Sequence, residues 1–222
     1  YYRANETVRV ACVGYSDRFR GSLLPCFLHH NKELKFDLVA VADLWKKRLN
    51  EKAVPEIEKK LGHKVAAYAS DVALYEQAKD IDAVIISTAD FQHAQHAAHA
   101  VNAGKDAYCE KPLAEDMYSA NLLKDAVDAK RAAGFAPGAV LQIGSQRRSG
   151  KKYMAAKEYI NAGKFGDISY VDLRWNVNQP KRWRRPDDLI KSLKLEDIDW
   201  KMWLLDRDPA AYAFDPRKYL EF

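Results

Sequence analysis

Cysteine is scarce in this sequence, and long apolar runs are absent. The 222 residues contain three cysteines, Cys12, Cys26 and Cys109, and no two of them have the spacing of a metal or redox motif. A small, odd number of cysteines excludes a disulfide framework. The longest uncharged apolar stretches, such as residues 83–89, are far too short to span a bilayer, so we expect no membrane partner.

The sequence also lacks a large excess of either positive or negative charge. Lysine and arginine number 36 against 31 acidic residues, which leaves a net charge of +5. The densest basic cluster, residues 181–185, is a single short run around one tryptophan. Such a cluster is typical of a solvated loop, with an anion or sugar contact as the alternative, and we expect no nucleic-acid partner. The 48% hydrophobic and 11% aromatic content excludes a disordered chain.

Apolar runs and helical patterns alternate along the first 149 residues. A buried strand is predicted at residues 8–14, and further strands at 38–42, 82–88, 106–109 and 140–144, with a short one at 67–69. Helices are predicted at residues 21–30, 46–61, 71–79, 92–103 and 119–133. This alternation predicts an α/β fold with a doubly wound parallel (Rossmann) sheet, in which ligands bind beyond the carboxyl ends of the strands.

The pattern changes after Gly150. A helix is predicted at residues 151–162, then a turn, then an alternating segment at 168–177 whose apolar face indicates a half-buried antiparallel strand. We therefore expect two domains. Residues 1–149 form the dinucleotide-binding domain, and residues 150–222 begin an α+β substrate domain with a mainly antiparallel sheet, which is incomplete.

The turn after the first strand departs from the usual phosphate-binding loop. The expected GxGxxG is missing: Gly14 is present, Ser16 stands at the second glycine position, and the third glycine comes two residues late. Serine is small and can hydrogen-bond a phosphate, and Arg18 could add positive charge. The predicted cofactor positions in this turn are Gly14, Ser16, Asp17 and Arg18. A strand-to-helix turn without a ligand is the alternative.

An acidic residue follows the second predicted strand. Asp43 could accept hydrogen bonds from both ribose hydroxyls and would repel a 2′-phosphate, which favours NAD over NADP as the cofactor. It lies 29 residues after Gly14, against about 20 in the usual fingerprint. A helix N-cap is the alternative role.

Two later segments carry a specific resemblance. DAVIISTADFQH (residues 82–93) is followed by AGKDAYCEKPLA (residues 103–114), and together they resemble the Gfo/Idh/MocA family of oxidoreductases. Ala89, where the family usually has proline, and the imperfect glycine loop depart from its pattern. Residues 144–148, 162–168 and 199–219 also resemble family segments, so the similarity covers nearly the whole chain.

The resemblance implies an NAD(P)-dependent dehydrogenase that transfers hydride from a CH–OH group of a sugar, cyclitol or glycoside. Lys111, in the Glu110-Lys111-Pro112 motif, takes the catalytic position, where a lysine can donate to the substrate hydroxyl and hold negative charge. Further cofactor positions implied by the family pattern are Thr88, His93, Glu110 and Lys111. Substrate contacts are expected from Gln146, Arg147 and Trp183.

Two other functions stay open at this stage. One is a redox-neutral, NAD-dependent glycoside hydrolase of the same family, and the other is a non-catalytic dinucleotide-binding protein. No metal is expected: His93, His96 and His99 stand three residues apart on one helix, but no carboxylate or cysteine is placed in the sequence to complete a site.

The resemblance also bears on the rest of the protein. A general base and the remainder of the substrate domain are expected beyond residue 222, so the 222 residues alone should bind a dinucleotide but turn over poorly. A homo-oligomer is expected for the full-length protein. Residues 5–14 resemble members that follow an export signal, which raises an exported or periplasmic location, with the cytoplasm as the alternative.

Overall fold

The fold is built on one parallel β-sheet with helices on both faces. A computed structural model describes residues 6–134, 139–181 and 183–221. The six strands lie in the order β3-β2-β1-β4-β5-β6, and every neighbouring pair is parallel. Their bounds are Val8–Val13 (β1), Phe36–Ala42 (β2), Ala66–Tyr68 (β3), Ala83–Ile86 (β4), Asp106–Cys109 (β5) and Leu141–Ile143 (β6). The sequence therefore predicted the doubly wound parallel sheet correctly.

Helices connect the strands. In the sheet domain they are Leu24–Leu34 (α1), Lys46–Arg48 (α2), Val54–Leu61 (α3), Asp71–Gln77 (α4), His93–Asn102 (α5) and Met117–Ala132 (α6). Turns of π-helix, Phe19–Leu23 and Leu49–Ala53, continue into α1 and α3. Later helices are Lys151–Asn161 (α7), Asp187–Ser192 (α8), Trp200–Leu204 (α9) and Pro216–Leu220 (α10). The first helical segment starts at residue 17, four residues earlier than predicted.

The two faces of the sheet bury separate hydrophobic clusters. Ala11 and Val13 of β1 face a cluster under α5 and α6, whereas Val10 and Cys12 face a cluster under α1 and α3. Consecutive residues of a strand point to opposite faces, so a strand covered on both sides must be apolar throughout. This requirement explains the unbroken apolar runs in the sequence.

The predicted antiparallel strand at residues 168–177 is not formed. These residues have no regular structure, and every residue from 151 to 181 is exposed. The apolar members of the alternation, such as Leu173 (91% exposed), face solvent. A strand is stabilised by pairing and by burial of one face, and within the described ranges nothing lies beside this segment to provide either. The strand prediction for residues 168–177 was wrong, whereas the antiparallel sheet of a second domain stays a prediction.

The last described stretch returns to the parallel sheet. Ile198 forms an isolated antiparallel bridge with Trp45, which follows β2. Trp200 is buried against Trp203 and Phe214. Residues 183–221 thus pack on the edge formed by the carboxyl ends of the strands. Among the described helices, none is both long enough and apolar enough to cross a bilayer.

Candidate functional site

A cavity of about 530 Å³ opens at the carboxyl ends of β1, β2 and β4. In this strand order the chain leaves β1 toward β2 on one side, whereas β4 lies on the other, and ligands bind at such a switch point. The volume lies in the range of small-molecule and cofactor sites. Five of the residues predicted to bind cofactor line the cavity: Gly14, Ser16, Asp17, Asp43 and Thr88.

Gly14 brings the turn after β1 close to the residues that follow β4. Its φ is +85°, and a Cβ built on it would lie 2.8 Å from Thr88 Cγ2 and 3.1 Å from the Ser87 carbonyl oxygen. Both the left-handed backbone and the short distance exclude a side chain. Glycine is therefore required at this position, although the rest of the GxGxxG pattern is missing.

Ser16 caps the helix that follows the first turn. Its Oγ accepts the Phe19 N–H at 3.2 Å and donates to Ser87 Oγ at 3.2 Å, and Ser87 Oγ donates in turn to the Gly14 carbonyl at 2.8 Å. This chain of hydrogen bonds ties the turn after β1 to the end of β4. The N-terminus of the capped helix is a favourable place for an anion, because its first N–H groups lack intrahelical partners.

Asp43 is buried and fully engaged. Its carboxylate accepts the backbone N–H groups of Tyr15 and Trp45 at 2.8 and 2.9 Å, and both oxygens accept from Arg48, at 3.0 and 2.9 Å. Asp43 raises the pKa of Arg48 against the effect of burial, so the guanidinium stays charged. Each carboxylate oxygen thus already accepts two hydrogen bonds. The sequence analysis offered ribose binding or a helix N-cap for Asp43 and did not foresee the Arg48 contact.

Thr88 and His93 present buried polar atoms without partners among the described residues. Thr88 Oγ1 lines the cavity and makes no hydrogen bond. His93 Nε2 is also buried without a hydrogen-bond partner among the described residues. His93 Nδ1 donates to the Pro112 carbonyl at 2.7 Å, which leaves the lone pair on Nε2. Burial lowers the pKa of His93, so its ring is neutral at neutral pH. His93 holds the loop that carries Lys111 and does not line the cavity.

Glu110 and Arg18 link the first turn to the Lys111 loop. Glu110 is buried, and its Oε1 accepts from Arg18 Nε at 2.8 Å and from Tyr108 OH at 3.4 Å. Its Oε2 accepts from the Lys111 N–H at 3.3 Å. Arg18 is thus directed at Glu110, because a buried carboxylate must be paired, and it does not line the cavity as the phosphate prediction implied.

Lys111 directly follows Glu110 in this loop. Its side chain is exposed, and the peptide bond to Pro112 is cis. Within the described residues, no ion pair or hydrogen bond engages its ammonium group. A lysine that is held through its backbone, with its Nζ uncommitted, can donate to an incoming oxygen atom.

The structure does not bring the three predicted substrate contacts, Gln146, Arg147 and Trp183, together in one site. The Gln146 amide oxygen accepts from Arg18 Nη1 and Nη2 at 3.1 and 3.0 Å when the amide is oriented to suit them. The Arg147 guanidinium lies 5.2 Å from the Trp175 ring centroid, and Trp183 is exposed. Gln146 is therefore next to the Glu110 network, whereas Arg147 and Trp183 are outside the cavity wall. Arg182 of the basic cluster lies outside the described residues.

The histidines of α5 meet a carboxylate that sequence reasoning missed. Asp71 Oδ2 accepts from His96 Nδ1 at 2.7 Å and from His99 Nδ1 at 2.8 Å. Burial alone would raise the pKa of Asp71, but the two imidazoles outweigh it and hold that pKa well below its usual range. The statement that no carboxylate is placed near these histidines was wrong, and these hydrogen bonds account for the positions of the three groups.

Reactive cysteine chemistry has no support at this site. Burial raises the pKa of the Cys12 thiol and raises that of Cys109 to about 12. Neither residue supplies a thiolate at neutral pH. The chemistry of the site therefore rests on oxygen and nitrogen groups.

These features define a dinucleotide-binding protein of the Rossmann class. A nicotinamide dinucleotide fits four features of the cavity. They are the close backbone approach at Gly14, the capped helix N-terminus, the Asp43 carboxylate after β2 and the unpartnered Thr88 hydroxyl. The comparison with known proteins agrees. Residues 8–136 match the model of the Gfo/Idh/MocA oxidoreductase family, NAD-binding Rossmann fold, and the chain belongs to this family.

Named relatives are dehydrogenases. Inositol 2-dehydrogenase of Salmonella typhimurium is 33% identical over 142 residues, which are 63% of this chain and 40% of the relative. Inositol 2-dehydrogenase of Cereibacter sphaeroides is 30% identical over 158 residues, 69% of this chain and 45% of the relative. The structure of scyllo-inositol dehydrogenase from Lactobacillus casei, with bound NAD(H) and scyllo-inositol, is 26% identical. Its TM-score is 0.56, over 74% of this chain and 44% of that one. This chain thus spans less than half the length of these relatives.

Proposed function

We propose that the protein is part of a dehydrogenase that oxidises a CH–OH group of a cyclitol or sugar, with NAD as its cofactor. The observation that carries this proposal is the arrangement of Gly14 and Thr88 in the cavity wall beside the Glu110–Lys111 loop. The turn after β1 connects the cavity wall with the Glu110–Lys111 loop, because Asp17 lines the cavity while Arg18 contacts Glu110. Dehydrogenase relatives named for inositol support the cyclitol class and give no support to the hydrolase and non-catalytic alternatives.

The residues of this chain have separate tasks. The turn after β1 and the end of β2 hold the dinucleotide, which accepts hydride from the substrate carbon when bound. Lys111 Nζ donates a hydrogen bond to the substrate oxygen and stabilises the negative charge that grows on it as the C–H bond breaks. Glu110, held by Arg18 and Tyr108, orients the Lys111 backbone.

Asp43 supports NAD over NADP. Its buried carboxylate lies where the adenosine ribose is expected, so a 2′-phosphate there would meet a negative charge. The Arg48 contact neutralises part of that charge, and ribose binding would exchange an Arg48 N–H for a hydroxyl. Titration with NADH and NADPH, followed by energy transfer from tryptophan, measures this preference directly.

A Lys111→Met variant tests the catalytic assignment. We expect NADH affinity to stay within about threefold, because Lys111 lies outside the cavity wall, while turnover falls at least about a hundredfold. The assay supplies NAD with myo-inositol, scyllo-inositol or a sugar and follows the absorbance of the reduced cofactor in the full-length enzyme. Lys124→Met, which removes an exposed pair with Asp128, is the matched control. Turnover that persists in Lys111→Met would refute the role of this lysine.

A further inference from the structure

One wall of the cofactor cavity comes from outside the family match. That match ends at residue 136, yet the cavity is also lined by Arg185, Leu189, Ser192, Trp203, Tyr219 and Leu220. We name residues 185–220 the C-terminal cover. The parallel sheet alone leaves this side of the cavity open, and the cover occupies it.

Aromatic packing attaches the cover to the loop after β4. The Trp203 ring meets Phe91 edge to face at 4.9 Å, and both residues are buried with Leu204. The Trp203 carbonyl accepts from Gln92 Nε2 at 2.6 Å, and Gln92 is 2% exposed. Burial on this scale makes the cover part of the folded domain.

A polar contact joins the cover to the ribose position. Tyr219 OH accepts from Arg48 Nη2 at 2.7 Å, and the same guanidinium holds Asp43. The Arg48 guanidinium lies 5.4 Å from the ring centroids of both Tyr219 and Trp45. Burial raises the pKa of Tyr219, so the hydroxyl keeps its proton at neutral pH.

A second contact joins the cover to the phosphate turn. Arg185 Nη1 pairs with Asp17 Oδ2 at 2.9 Å. Asp17 belongs to the first turn of the helix after β1, where a pyrophosphate is expected. The cover is therefore connected at both the ribose and the phosphate positions of the proposed cofactor site.

We infer that the C-terminal cover closes over the adenosine half of the dinucleotide, that Tyr219 and Arg185 position it there, and that the cover slows its release. This inference rests on the proposed cofactor. A ligand lying between Asp43 and Asp17 must pass the cover to leave, so the Tyr219–Arg48 and Arg185–Asp17 contacts oppose dissociation more than association.

Stopped-flow displacement of NADH from the full chain by excess NAD tests the inference. Removal of the Tyr219 ring in Tyr219→Ala should raise the dissociation rate constant about tenfold, with a smaller change in the association rate constant. Arg185→Gln should raise it about threefold. Arg184→Gln is the matched control, because Arg184 pairs with Glu221 at 2.9 Å and does not line the cavity; its rates should equal those of the wild type.

Limited trypsin digestion gives a second readout that needs no variant. NADH should slow cleavage within residues 185–220 and leave cleavage unchanged within residues 151–181, which are exposed throughout. If Tyr219→Ala fails to fold, Tyr219→Phe removes only the hydrogen bond to Arg48, and the digestion pattern decides. Wild-type dissociation rates in both Tyr219 variants, or equal cleavage of the cover with and without NADH, would overturn the inference. A wild-type protein that binds no NADH overturns the proposed cofactor itself.

Discussion

Replacement of Gly14 by alanine tests a sterically constrained position in the cavity wall. Alanine at a φ of +85° costs about 1–2 kcal/mol, because the left-handed region crowds Cβ. The new methyl would also lie 2.8 Å from Thr88 Cγ2 and 3.2 Å from the Ser87 carbonyl carbon. Overpacking of this kind costs about 1–3 kcal/mol. The free energy of unfolding should therefore fall by about 2–5 kcal/mol in total.

Gly62 provides the matched control for this experiment. Its φ is +81°, close to that of Gly14, but a Cβ there would have no heavy atom within 4 Å. Gly62→Ala should thus cost only the backbone contribution, about 1–2 kcal/mol. Urea unfolding followed by tryptophan fluorescence compares the two variants. If the two variants lose the same free energy of unfolding within about 0.5 kcal/mol, the contact of position 14 with Ser87 and Thr88 contributes nothing. That result would refute the steric argument for Gly14.

Two further variants test the buried carboxylates. Glu110→Gln removes the charge that Arg18 meets in the interior, and the free energy of unfolding should fall by about 1–3 kcal/mol; an unchanged urea midpoint would contradict this pairing. Asp71→Asn removes the carboxylate shared by His96 and His99. The folded pKa of Asp71 is depressed, so its stabilisation is complete above its unfolded value of about 4 and is lost as the pH falls below that value. Thermal melts should show the wild type losing stability faster than the variant between about pH 5 and 3, and parallel curves would refute the assignment.

Local sequence was sufficient for the parallel sheet and for much of the site. Apolar runs closed by glycine or a polar residue located β1, β2 and β4, because a strand covered on both faces needs an unbroken apolar run. The carboxyl ends of those strands then placed Gly14, Asp43 and Thr88 at one edge, as the structure has them.

The alternating pattern misled at one segment, where the described residues supply no neighbouring strand. The alternation at residues 168–177 predicted a half-buried strand, yet this segment is exposed and unpaired within the described ranges. An alternating pattern predicts only which side chains would share one face of a strand. Strand formation also requires a partner for the backbone, and that depends on the rest of the fold.

Tertiary structure alone decided how the charged groups are used. Nothing local distinguishes Arg48 from its lysine neighbours, but its position after β2 places it on Asp43 and beside Tyr219, which is 171 residues away along the chain. Arg18 looked suited to a phosphate and instead satisfies Glu110, and Asp71 reaches the histidines of α5 from the start of α4. Spacing determines the faces of helices and strands, because that geometry is local. The partners of a buried charge lie on other elements, since desolvation requires pairing wherever the fold brings opposite groups together.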